Sequence, residues 1–87
     1  MVRANEPTVR MLAFAGVRDI VGAAEIDLPL VLPCSADDLL TDVCRRFPGL
    51  LPYRASLRVA VNGSYAAAGD PVAAGDEVAL IPPVAGG

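Results

Sequence analysis

Few side chains in this sequence could carry a reaction. Histidine is absent, the thiols are Cys34 and Cys44, and the closest group of acids is Asp37, Asp38 and Asp42. Two cysteines without a histidine cannot complete a four-ligand zinc site, and without an imidazole there is no Cys-His or Ser-His nucleophile. Cys44 falls on the apolar stripe of a helical pattern, and Cys34 lies just ahead of that helix's cap, opposite Leu39. Both read as packing thiols. The three acids follow helical spacing and fit a solvated face with capping duty. No glycine-rich stretch has the spacing that cradles a phosphate. No internal active site is expected, which leaves the closing residues, "PPVAGG".

Each residue of that stretch has a physical consequence. Pro82 has no N–H and a fixed φ, so it stops a central ladder. Pro83 repeats the restriction and favours a stiff, extended exit. Val84 and Ala85 are small and apolar. Gly86 and Gly87 have no side chains and could thread a channel too narrow for a Cβ. The α-carboxylate, with an unperturbed pKa of about 3.5, is ionised at neutral pH. Extended, Pro82 to Gly87 span roughly 20 Å, a length suited to delivering a carboxylate into another protein's active site.

Such a tail needs a body to hold it. "VRMLAF" alternates, with Val9, Met11 and Ala13 on one face and Arg10, Leu12 and Phe14 on the other, a half-buried strand. "AGVRDIVGAA" reads as a turn segment with Gly16 and Gly22. "EIDLPLVL" is a second strand, with Ile26, Leu28 and Leu30 on one face and Pro29 placing it at an edge or bending it. "SADDLLTDVCRRF" is the one good helix: Ser35 caps it, Asp38 completes a capping box, and Leu39, Leu40, Val43, Cys44 and Phe47 form its apolar stripe. Pro48-Gly49 ends it. After a loop, "LRVAV" is a strand with Leu57, Val59 and Val61 on one face. Asn62-Gly63 suits a type I′ hairpin turn, "SYAA" is a short strand, and "EVALI" is the last. The near-repeat "AAGDPV"/"AAGDEV" reads as turn punctuation. One helix can cover only one face of such a sheet. The expectation is α+β: a β-grasp roll, with a mixed sheet of four to five strands and a helix on one face. Residues 1–8 form a flexible leader, 9–81 the domain, and 82–87 the tail. If Val78 and Leu80 point at the helix, then Ala79 and Ile81 face outward with Leu12 and Phe14, and Tyr65 lies beside them. That exposed apolar patch next to the tail reads as a partner surface.

Composition narrows the partners. The 87 residues hold one domain, and 54% of them are apolar, ample for a core. Net charge is −3, and all seven cations are arginine. That balance argues against nucleic acid or an anionic membrane. The opening "MVRANEPTVR" has no apolar signal core, and no apolar run approaches spanning length. A cytoplasmic location with reduced thiols is the expectation.

The segments "FAGVRDIVG", "VNG" and "GDEVALIPPVAGG" resemble the molybdopterin synthase small-subunit family of ubiquitin-like sulfur carriers, related to the thiamine-pathway carrier. The resemblance spans residues 9–87 and is most specific at the end. It implies a β-grasp fold and no catalysis by the chain alone. It also implies that an E1-like enzyme adenylates Gly87 with ATP and converts it to a thiocarboxylate. The tail then enters the large synthase subunit and gives sulfur to cyclic pyranopterin monophosphate. No bound cofactor or metal is implied, and Gly86 is the spacer that fits the channel. Leu80-Ile81 stand where other members often carry bulkier residues, and the leader is a few residues longer. The ending is also similar to a carrier serving cysteine synthesis. Carriage for cysteine or thiamine, a protein modifier joined to lysines, and an interaction module without chemistry are the other readings.

Overall fold

The computed structural model describes residues 7–30 and 33–82. Among the described residues seven strands form: β1 (Thr8–Ala13), β2 (Glu25–Pro29), β3 (Cys34–Ser35), β4 (Arg58–Val61), β5 (Ser64–Tyr65), β6 (Pro71–Val72) and β7 (Glu77–Ile81). Two helices, α1 (Ala15–Val21) and α2 (Ala36–Arg46), and a 3₁₀ segment (Pro48–Ser56) complete it. The main sheet runs β2-β1-β7-β4-β5, and β3 pairs with β6 in a separate two-stranded ladder. β1 and β7 are parallel, with Met11 opposite Val78 and Ala13 opposite Leu80. The neighbouring pairs, β1 with β2 and β7 with β4, are antiparallel. Pro29 lies on an outer strand, where its missing N–H costs no ladder bond.

Alternation decides what is buried. Val9, Met11 and Ala13 of β1 and Val78 and Leu80 of β7 face the core, where they meet Leu39, Val43 and Cys44 of α2. Leu39 and Val43 are wholly inaccessible, and such burial contributes about 1.5–3 kcal/mol per side chain. Helix α2 starts where expected. The Ser35 hydroxyl accepts from the Asp38 amide at 3.0 Å, and the Ser35 amide donates to the Asp38 carboxylate at 3.4 Å. The other first-turn donors are met by a turn: Ala36 N–H donates to the Asp70 carbonyl and Asp37 N–H to that of Ala68, both at 2.9 Å. No orphan amide is left in the first three helical positions.

The near-repeat is a pair of turns held the same way. Asp70 accepts from the Ala67 amide at 2.8 Å, and Asp76 from the Ala73 amide at 2.9 Å. Asp76 carries a second load. Asn62, whose φ of 51° with 86° at Gly63 makes the expected left-handed turn, donates its amide to the Asp76 carboxylate at 3.1 Å. Its side-chain oxygen accepts from the Glu77 amide at 3.0 Å. One asparagine thus ties the hairpin to the start of β7. The Ala73 amide and then the Asn62 side chain hold the Asp76 carboxyl below the usual carboxylate range. A depressed folded pKa adds stability above the unfolded value, which is lost as pH falls through the folded one. Asp76→Asn is therefore expected to melt below wild type at neutral pH. The gap should close as pH drops below about 4, followed by circular dichroism melts across pH.

Four local expectations need correction. The segment after β1 is a helix: Val17 anchors it in the core, and Gly22, at φ 86°, ends it with its N–H on the Arg18 carbonyl at 2.8 Å. Its start is unusual, because Ala15 adopts φ 46°, a conformation that costs an L-residue roughly 1–2 kcal/mol. The loop after α2 is the 3₁₀ segment, pinned by fully buried Leu50. The β3–β6 ladder, with Cys34 opposite Val72, is too short to leave a periodic signal. The leader was expected to run through residue 8, yet β1 already begins at Thr8. Residues 1–6, and Val31 and Leu32 of the expected second strand, lie outside the described residues.

Candidate functional site

The face of the sheet away from α2 carries the expected patch. Across the strands Leu12 is opposite Ala79, Ala79 opposite Ala60, and Ala60 opposite Tyr65. Phe14 and Ile81 continue the same face toward the tail. Leu12, Phe14, Tyr65, Ala79 and Ile81 line one depression of about 350 Å³, together with Ala60, Gly63 and Glu77. Phe14 is 49% and Tyr65 64% exposed, although both are large and apolar. Ala60 was not among the expected residues. It follows from the alternation of "LRVAV", because a residue between two core-facing positions must face outward.

Charge borders this apolar strip. Arg10 stands opposite Asp27 on β2 and Glu77 on β7. At the other end Arg58, opposite Ile81, holds its guanidinium 5.5 Å from the centre of the Tyr65 ring. An exposed cation over an aromatic face contributes about 0.5–1 kcal/mol and fixes the ring's orientation.

The tail leaves at the edge of this face. Pro82 is half-buried directly after β7. It lines a second groove, of about 420 Å³, between α1 and the 3₁₀ segment, with Ala15, Gly16, Val17, Asp19, Ile20, Leu50, Tyr53 and Leu57. The root of the tail is thus flanked by apolar surface on both sides. Pro83, Val84, Ala85, Gly86 and Gly87 lie outside the described residues.

The thiols and acids take the places that packing and capping assign them. Cys44 is buried in the core. Cys34 is half-buried, and burial, followed by the nearby carboxylates of Asp38 and Asp42, pushes its thiol up. Asp38 serves the capping box. Asp37 pairs with Arg54 at 3.0 Å, and Asp42 with Arg45 and with Arg46, the latter at 2.6 Å. Among the described residues no cluster of three or more His, Cys, Asp or Glu could hold a metal ion. No helix among them is long and apolar enough to cross a membrane.

A mixed sheet with its first and last strands parallel at the centre, closed over one main helix, defines the ubiquitin-like β-grasp class. Solved structures agree. The small archaeal modifier protein SAMP1 from Haloferax volcanii matches with a TM-score of 0.76 and 28% identity, over 92% of this chain and 99% of that one. A solved structure from Pyrococcus furiosus matches with a TM-score of 0.80 and 27% identity, over 90% and 99%. Within that class the chain belongs to the ThiS family, which it matches over residues 11–87. The molybdopterin synthase sulfur carrier subunit of Aedes aegypti is 40% identical over 86 residues, spanning 91% of this chain and 88% of the relative.

Proposed function

We propose that this chain is the sulfur carrier subunit of a molybdopterin synthase and works in the cytoplasm. The observation that carries the reading is the 40% identity to a carrier subunit of that name across nearly the whole chain. The chemistry of the residues agrees with it. A carrier needs a carboxylate that can be activated and a surface that docks, and it needs no catalytic group of its own. An E1-like partner transfers AMP from ATP to the Gly87 carboxylate, releasing pyrophosphate. A carboxylate oxygen is a poor leaving group, whereas AMP is a good one. A sulfur nucleophile then attacks the acyl carbon, AMP departs, and the terminus becomes a thiocarboxylate. The large synthase subunit receives the tail through Pro82–Gly87, docks on Phe14, Tyr65 and Ile81, and directs sulfur to cyclic pyranopterin monophosphate.

The test is the intact mass of the chain after incubation with activating enzyme, ATP and a sulfur source. Wild type is expected to exchange one oxygen for one sulfur at Gly87, and a chain lacking Gly86-Gly87 to gain none. Sulfur appearing on Cys34 or Cys44 of the truncated chain would defeat the reading. A strain lacking the chain should lose molybdoenzyme activity without requiring thiamine or cysteine. A requirement for either, with the cofactor intact, would move the carrier to another pathway. A second reading, attachment to other proteins as a modifier, draws on the likeness to SAMP1. The same terminus would serve it, and its conjugates would reveal it.

A further inference from the structure

We infer that Arg58 decides which protein surface the open face accepts, and which way round it lies, by taking a carboxylate of the docked partner. The inference rests on the docking face of the proposed function and adds a charged contact to it. Arg58 stands directly opposite Ile81 and two residues before Ala60 on β4, so alternation puts it on the same face. It is exposed, and its guanidinium lies 5.5 Å from the centre of the Tyr65 ring. Among the described residues it forms no ion pair. Asp37, which lines a cavity with it, pairs with Arg54 instead, and Arg45 and Arg46 share Asp42. The ring occupies only the flat side of the guanidinium. The N–H fork at its edge stays free, in a geometry that matches a carboxylate.

Docking makes that charge consequential. A partner that covers Phe14, Tyr65 and Ile81 expels the water around them, and Arg58 borders two of those three side chains. A guanidinium cannot shed its proton to escape, so a desolvated cation there is costly unless the partner supplies a negative group. The other end of the face has the opposite sign. Glu25 stands across from Leu12, Asp27 from Arg10, and Arg10 from Glu77, which gathers three acids around one cation. Glu77 and Ile81 are four residues apart on β7, about 13 Å. A partner whose acid meets Arg58 is attracted there. Turned around, it sets that acid among Glu25, Asp27 and Glu77 and is repelled. The apolar centre has no sign, so the charges choose the orientation. The fitting partner is a protein surface that is apolar at its middle and carries a carboxylate level with Ile81.

The test is calorimetric titration of the full chain and its variants with the large synthase subunit. Arg58→Gln and Arg58→Leu should each bind at least about tenfold more weakly than wild type. Arg45→Gln, which removes the same charge from α2, should bind as wild type does. All three should melt cooperatively, since both arginines are exposed. Unchanged or tighter binding by Arg58→Leu would overturn the inference, because an arginine that meets no acid is better replaced by an apolar group. The acid is located with Arg58→Lys. The chain has no lysine of its own, so the introduced amine is the only side-chain amine it brings to the complex. A carbodiimide condenses that amine with a carboxylate to an amide and takes up the water lost as its urea. The joined product should be one water lighter than the two chains together, with the link running from position 58 to an Asp or Glu of the partner. A link from position 58 only to acids of its own chain, or no link from it, would overturn the inference. Normal binding by every Arg58 variant strikes this inference alone, whereas wild type that fails to bind the large subunit strikes the carrier reading with it.

Discussion

A chain with one residue appended after Gly87 is expected to bind its activating enzyme and gain no sulfur. The docking surface is untouched, but the carboxylate moves by one residue, about 3.3 Å. A reacting group displaced by as little as 1 Å can lose roughly a hundredfold in rate, so the loss should be at least that large. Gly86→Val probes a different cause. The carboxylate stays in register, while a Cβ and two methyls enter the segment that must thread the channel. Activation, sulfur transfer or both should slow, yet sulfur should still appear on prolonged incubation. Intact mass over time distinguishes the two, since one variant stays at the starting mass and the other approaches wild type slowly. Normal sulfur gain by the extended chain would show that register at Gly87 is not what the activating enzyme reads.

The second large effect is expected at the open face. Phe14→Asp or Ile81→Asp would bury a carboxylate in the apolar centre of the docked surface. Substitutions at such central positions typically cost 2 kcal/mol or more, and about 3 kcal/mol corresponds to a loss of more than a hundredfold in affinity. Both side chains lie away from the core, Phe14 being 49% exposed, so the melt should remain cooperative. Leu51→Asp is the matched control. Leu51 is 55% exposed and lines neither the open face nor the groove at Pro82, so binding should be unchanged. Calorimetric titration with the large synthase subunit gives the comparison. Normal affinity in both patch variants would place the docking surface elsewhere.

The parts of the fold that were legible are those where one side chain reports directly on one backbone condition. Ser35 and Asp38 announce a helix start, Asn62-Gly63 a left-handed turn, and Val9, Met11 and Ala13 a face. Helix α1 was hidden because Gly16 and Gly22 look like loop punctuation, and its anchor, Val17, is a single residue. A lone buried valine leaves no period to read. The β3–β6 ladder was invisible for another reason. Two-residue strands have no alternation, and their pairing is set by how the Asp70 turn docks on the first turn of α2, a long-range fact. The patch was legible because alternation in β1 and β7 sets both faces at once. Ala60 was missed because a small residue between larger ones draws no notice, although it fills the middle of the row.

The parallel pairing of β1 with β7 also bears on synthesis. The strand between β1 and β4, residues 77–81, is the last in chain order among the described residues. A chain stopped before Val78 leaves its hydrophobic centre open, because Val78 and Leu80 are both fully buried parts of it. Closure must wait for contacts between residues more than sixty positions apart, which also slows it.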